Sequence, residues 1–103
     1  MGNDVYLALT GHFTAEEAEE ATARFIVLVG EDTVRFIVDL GQLNSYDKDA
    51  RIRWQKILAP MKQQISIIIF VGDAPPLVRM AASTVALAVG IRMKFVSTIE
   101  EAR

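Results

Sequence analysis

The sequence predicts an α/β domain, a mostly parallel four-stranded sheet with helices packed on it. Three observations carry that expectation. Short apolar or β-branched runs alternate with longer amphipathic ones along all 103 residues. One run, Ser66 to Val71, is apolar without alternation, as a strand buried on both faces of a parallel sheet is. Turn and cap residues separate the runs at the spacing of βα units. No linker, repeat or low-complexity stretch interrupts the pattern, so residues 1–103 read as a single domain.

The first strand is expected over Val5 to Leu9, closed by Thr10, Gly11 and His12. Thr14 and Glu17 then form a capping box, in which the Thr14 hydroxyl can accept from the Glu17 N–H while the Glu17 carboxylate reaches back. A helix follows from about Ala15 to Val29, with Glu16, Glu17, Glu19 and Glu20 near the positive end of its dipole. Ala18, Ala21, Phe25 and Leu28 mark its inward face, and Gly30 ends it. Val34 to Val38 has the β-branched and aromatic content of a buried strand. Asp39 to Tyr46 reads as a loop, and Asp47 as the N-cap of a helix from about Lys48 to Gln64. Ala50, Trp54, Ile57, Leu58 and Met61 make the apolar stripe of that helix, and Pro60 kinks it or ends it early. After the third strand, Gly72 to Pro76 is a turn, and a third helix runs from about Pro76 to Val89 with Gly90 as its cap. Arg92 to Val96 is the fourth strand. Thr98 to Glu101 repeats the capping pattern at the start of a last short helix.

Composition removes several function classes. With no cysteine, disulfides, thiolate catalysis, cysteine-ligated zinc and iron–sulfur clusters are excluded. The single histidine, His12, builds no histidine-rich metal site, so no metal or cofactor is expected. A net charge of −2 argues against a broad nucleic-acid surface. No apolar run reaches the ~20 residues that span a membrane, and no secretory leader pattern is present. The expectation is a soluble, cytoplasmic domain.

In a parallel sheet the C-terminal strand ends share one edge, where open α/β folds bind ligands. That edge gathers His12, Asp39, Ser45, Tyr46, Asp47, Lys48 and Asp73, which places the candidate site in the Asp39 to Asp49 segment. Each residue also has a structural reading. Asp47 caps a helix, Asp39 accepts from loop N–H groups, and His12 is a hydrogen-bonded turn residue. Tyr46 is half-buried and Trp54 lies in the core. The third helix is unusual because Arg79 is its only charge. Leu77, Ala81, Val85 and Ala88 are expected to face inward, with Arg79, Ala82, Ser83 and Ala86 opposite. A helix apolar nearly all round is buried on more than one side, forms a dimer face, or lines an apolar pocket.

These residues carry a family resemblance. The order of elements resembles the STAS domain, to which the bacterial anti-sigma-factor antagonists belong. Val38 to Asp47 resembles the STAS strand and loop that lead to the regulatory helix, and the likeness extends to Val71-Gly-Asp and to Phe95 through Ala102. Tyr46 to Arg51, Trp54, Leu58-Ala-Pro60 and Leu77 to Ser83 look like the SpoIIAA-like branch, also called STAS/SEC14-like. Antagonists of the usual kind carry an Asp-Ser-Ser-Gly-like motif whose second serine is phosphorylated. The matching residues are Asp47, Lys48, Asp49 and Ala50, so the acceptor position holds Asp49, which has no hydroxyl. Its carboxylate carries about one charge against roughly 1.5 to 2 for a phosphate, and reads as a weak imitation of the modified state or as a first-turn acid.

The resemblance implies a non-catalytic regulatory module that binds a protein partner through Ser45, Tyr46, Asp47, Lys48, Asp49, Arg53 and Asp73. Arg79, Ala82, Ser83 and Ala86 are the expected homodimer or ligand face. The alternative is a carrier or sensor of a small apolar ligand or lipid. A hydrolytic enzyme using His12 with Asp39 or Asp47 ranks below both, because no nucleophile or oxyanion motif is evident.

Overall fold

The computed structural model describes residues 3–102. Strands β1 (Asn3–Phe13), β2 (Val34–Tyr46), β3 (Ile65–Val71) and β4 (Met93–Val96) form one sheet in the order β1-β2-β3-β4. Every neighbouring pair is parallel. Each strand lies beside the next one in sequence, so right-handed crossovers put all the connecting helices on the same face. Helices α1 (Ala15–Val29), α2 (Lys48–Leu58) and α3 (Pro76–Val89) share that face and its core. The short α4 (Ile99–Ala102) packs on the other.

The helix-side core is built on Phe36 of β2. Its ring lies 4.2 Å from that of Phe25 on α1 and meets Trp54 of α2 edge-on at 6.0 Å. Trp54 in turn meets Phe13, at the end of β1, edge-on at 5.8 Å. Edge-on aromatic pairs of this kind add to the burial that joins the three elements. On the opposite face Ile37, Ile69 and Val71 pack against Ala102 of α4. Thus β3 is covered on both sides, the condition that its unbroken apolar run predicts.

Arg35 ties α4 and β1 to this face. Its Nε and Nη2 donate to the two Asp4 carboxylate oxygens at 2.8 Å each, and its Nη1 donates to the Ala102 carbonyl at 2.8 Å. The hydrogen bonds from Arg35 are the main reason the Asp4 carboxyl titrates below its ordinary value.

The helix boundaries follow the local signals. Thr14 Oγ1 accepts from the Glu17 N–H, and Glu17 reaches back to the Thr14 N–H, so the capping box is present. Gly90 ends α3 in the left-handed region at φ 82°. Pro60 falls where α2 gives way to a 3₁₀ helix, Ala59–Gln64. Other expectations are corrected. β1 and β2 run on through Gly11–His12 and through the Asp39 to Tyr46 segment, so that segment is a strand and not a loop. α1 and α3 are turned relative to the expected faces. α1 buries Ala18, Thr22, Phe25 and Val29, leaving Leu28 exposed, and α3 buries Val78, Ala82, Val85, Ala86 and Val89. Ala82 and Ala86 are therefore core residues and not a free face. In a helix with so little polar contrast the wheel does not single out one face, and valines spaced along one side are what the sheet accepts.

β2 leaves β3 after the Asp39–Val71 pair and continues against β1 alone. Gly72 sits where they diverge with φ 99°, and a Cβ there would lie 2.7 Å from the Gly41 Cα. Gly72→Ala is expected to destabilise by about 1–3 kcal/mol for the backbone conformation alone, with the close contact adding to it. The shift of the urea midpoint measures this, and an unchanged midpoint would contradict the close packing.

A second expectation concerns acid. The folded Asp4 carboxyl titrates below its unfolded value, so its contribution is present above the ordinary carboxylate range. It is lost as pH falls through the lowered folded value. Asp4→Asn should lower stability at pH 7 by no more than about 1 kcal/mol, given the partial exposure. The gap between the two proteins should close toward pH 2, as read from urea unfolding across that range.

Candidate functional site

The C-terminal edge of the sheet is shaped by two irregularities in β2. Ala8 pairs with Asp39 but Thr10 with Gln42, and Gly11 pairs with Leu43 but His12 with Ser45. Each step gives β2 one residue more than β1. The second places Ser45, rather than Asn44, beside His12. The backbone then closes the end of the arm, since the Asp47 N–H donates to the Phe13 carbonyl at 2.8 Å.

Three side chains converge as a result. His12 Nε2 is 2.7 Å from Asp47 Oδ1, and His12 Nδ1 is 2.6 Å from Ser45 Oγ. A carboxylate only accepts, so Nε2 carries the proton toward Asp47, and in the neutral ring Nδ1 accepts from the Ser45 hydroxyl. His12 and Asp47 are each about half exposed. Asp47 does occupy the N-cap position of α2, but its side chain makes no cap bond. The first N–H groups of α2 thus lack the carboxylate that a capping aspartate supplies. Asp39, in contrast, has a local role, with Oδ1 accepting from the Gly41 N–H at 2.8 Å.

Beside Ser45 lies an open depression of about 460 Å³, lined by Asn44, Ser45, Tyr46, Lys48, Arg51, Leu77 and Val78. Asp49 is exposed in the first turn of α2. The structure therefore groups Ser45, Tyr46, Asp47, Lys48 and Asp49, and adds His12, Arg51 and Leu77 to them. It places Arg53 and Asp73 elsewhere. Arg53 pairs with Glu19 of α1 across the helix layer. Asp73 lies with Arg79, Phe95 and Glu101 around a small hollow at the ends of β3 and β4. Arg79, the single charge of α3, stacks over the Phe95 ring at 4.8 Å. The outward apolar residues of α3 are Leu77, Met80 and Leu87, exposed by 69%, 63% and 75%.

The apolar space bounded by Leu43, Tyr46, Trp54, Val78, Ala82 and Val85 is about 30 Å³. That is room for a water or two, against about 300–1,000 Å³ for ordinary ligand pockets. Strand order explains this. Crevices in open α/β sheets form where the order reverses, and β1-β2-β3-β4 never reverses. Among the described residues no cluster of acidic or histidine side chains could hold a metal ion, and no helix is long and apolar enough to cross a membrane.

A four-stranded parallel sheet with its helices arranged in this way is a SpoIIAA-like fold. A solved structure from Shewanella loihica PV-4, described as an uncharacterized protein from the DUF3478 family with a SpoIIAA-like fold, matches it with a TM-score of 0.73 at 15% identity. The match covers 92% of this chain and 77% of that one, and at that identity it is a likeness of fold. No protein-family model and no curated protein matches the sequence.

The sequence places His12, Ser45 and Asp47 on one edge and offers His12 with Asp39 or Asp47 as a pair, but it does not join Ser45 to His12. The pairing depends on the extra residue in β2, and a polar Gly-Gln-Leu-Asn-Ser stretch carries no local sign of it. If the three side chains act as one unit, His12→Ala and Asp47→Ala should each change unfolding free energy by about 1 kcal/mol or less. The double variant should fall short of the sum, because each single change removes the same bond. Strictly additive urea-unfolding energies would show that the pair is not coupled.

Proposed function

We propose that this is a STAS-like regulatory module that binds a protein partner through the end of the β1–β2 arm and the start of α2. The observation that carries the reading is the shape of that edge. It is a broad, open depression with cationic Lys48 and Arg51, the exposed apolar Leu77, and almost no cavity beneath. A protein surface fits such a shape better than a lipid or other small apolar ligand, which needs an enclosed volume. Asp49 at the position of the usual phosphorylated serine supports a partner contact that is not switched there by a kinase. The exposed Leu77, Met80 and Leu87 extend the surface along α3, where a homodimer contact would be made.

Affinity capture from the native cell tests this. Lys48→Glu with Arg51→Glu is expected to lose the captured partner, while Arg53→Glu and Asp73→Lys, away from the depression, retain it. A partner held equally by all these variants would place the contact elsewhere. Light scattering of Met80→Glu and Leu87→Glu reads the self-association, and an unchanged mass in both would remove α3 from it. Native mass spectrometry of fresh protein reads the small-ligand alternative, for which no bound mass is expected.

A further inference from the structure

We propose that Ser45 is an activated nucleophile that attacks small carboxylic esters, with His12 as its general base and Asp47 as the positioning residue for the imidazole. The inference goes beyond partner binding and does not rest on it. The sequence alone offers a base and an acid but no nucleophile. The structure supplies one, since Ser45 Oγ is 2.6 Å from His12 Nδ1 while Nε2 is held at 2.7 Å by Asp47. Hydrogen-bond contact from nucleophile to base, and from base to an orienting carboxylate, is the geometry that raises the reactivity of a serine. Here the serine meets Nδ1 rather than Nε2. The chemistry is unaffected, because either ring nitrogen is basic when the other carries the proton.

Two further features complete the site. Ser45 is exposed and is one of the residues lining the 460 Å³ depression, so the nucleophile lies on an accessible edge. Asp47 makes no cap bond to α2, so its carboxylate is free to hold the imidazole. Lys48 and Arg51 favour a substrate bearing an anionic group, and Leu77 and Val78 favour a short apolar one.

The reaction balances with water alone. Ser45 Oγ bonds to the carbonyl carbon as its proton passes to His12 Nδ1. The tetrahedral adduct then breaks its carbon–oxygen bond to the alcohol, which leaves with the proton from Nδ1. Water attacks the acyl-serine and gives its proton to Nδ1, the acid departs, and Ser45 regains its proton. Ester and water become acid and alcohol, with no redox change and no cofactor.

The test uses the whole chain with two probes, a fluorophosphonate that labels activated serines and p-nitrophenyl acetate. A single adduct at Ser45 is expected by intact mass and peptide mapping, absent from Ser45→Ala. His12→Ala should slow labelling roughly 100-fold or more, as loss of a general base does. Asp47→Asn should lower kcat with little change in KM and alter the pH profile, and Asp47→Glu should recover some of the rate. No adduct, an adduct on another residue, or a labelling rate unchanged in His12→Ala with native circular dichroism would each overturn the proposal. Labelling is read on the isolated chain with no partner present, so its failure overturns the nucleophile and leaves partner capture from the native cell to be decided separately.

Discussion

The sheet passes through its four strands in sequence order, and the rest of the molecule depends on that constraint. Right-handed crossovers between consecutive parallel neighbours leave the three long helices no choice of face. They crowd one side, where Phe36 and Trp54 join them to β2. The opposite side falls to a single helical turn, α4, which covers Ile37, Ile69 and Val71 and is fastened by Arg35. A sheet whose order reverses would send adjacent connections to opposite faces and open a crevice at the carboxyl ends of its strands. This sheet does not, so the carboxyl edge of its strands is shallow and offers surface groups rather than an enclosed pocket.

How much of this is legible in the sequence depends on whether a feature is local. The Ile67 to Val71 run marks a strand covered on both sides, because a solvent-facing side would call for polar residues at alternate positions. Thr14 with Glu17, Pro60 and Gly90 mark boundaries through bonds or dihedrals made within a few residues, and the structure has them where expected. The inward faces of α1 and α3 are not legible. When Leu28 and Val29, or Leu77 and Val78, stand side by side, the periodicity does not choose between them, and the sheet does. It takes Val29 and Val78 and leaves the leucines exposed.

The Asp39 to Tyr46 segment is illegible for a different reason. Its glycine, asparagine, serine and aspartate are turn formers, and its content supports a loop. It is a strand because β1 continues beside it and offers backbone partners, a long-range cause that no window of sequence contains. The same pairing carries the two extra residues of β2. The second decides whether His12 faces an asparagine or a serine, and so which side chain completes the contacts of its ring.

Asp47 shows how the fold and the site compete for one group. At the N-cap its carboxylate could bond the first N–H groups of α2, an interaction worth about 0.5–2 kcal/mol to a helix. It bonds His12 instead, in a position where the Asp47 backbone is already held by Phe13. The helix is left with open donors, and the imidazole gains a fixed orientation. A carboxylate that serves no cap, a ring with both nitrogens engaged and a serine at its far end together depart from what the local rules of folding favour. Departures of that kind gather at functional sites, because groups that satisfy the backbone have no capacity left for a ligand. The choice made by Asp47 thus adds to the shape of the depression as a structural reason to look for function at this edge.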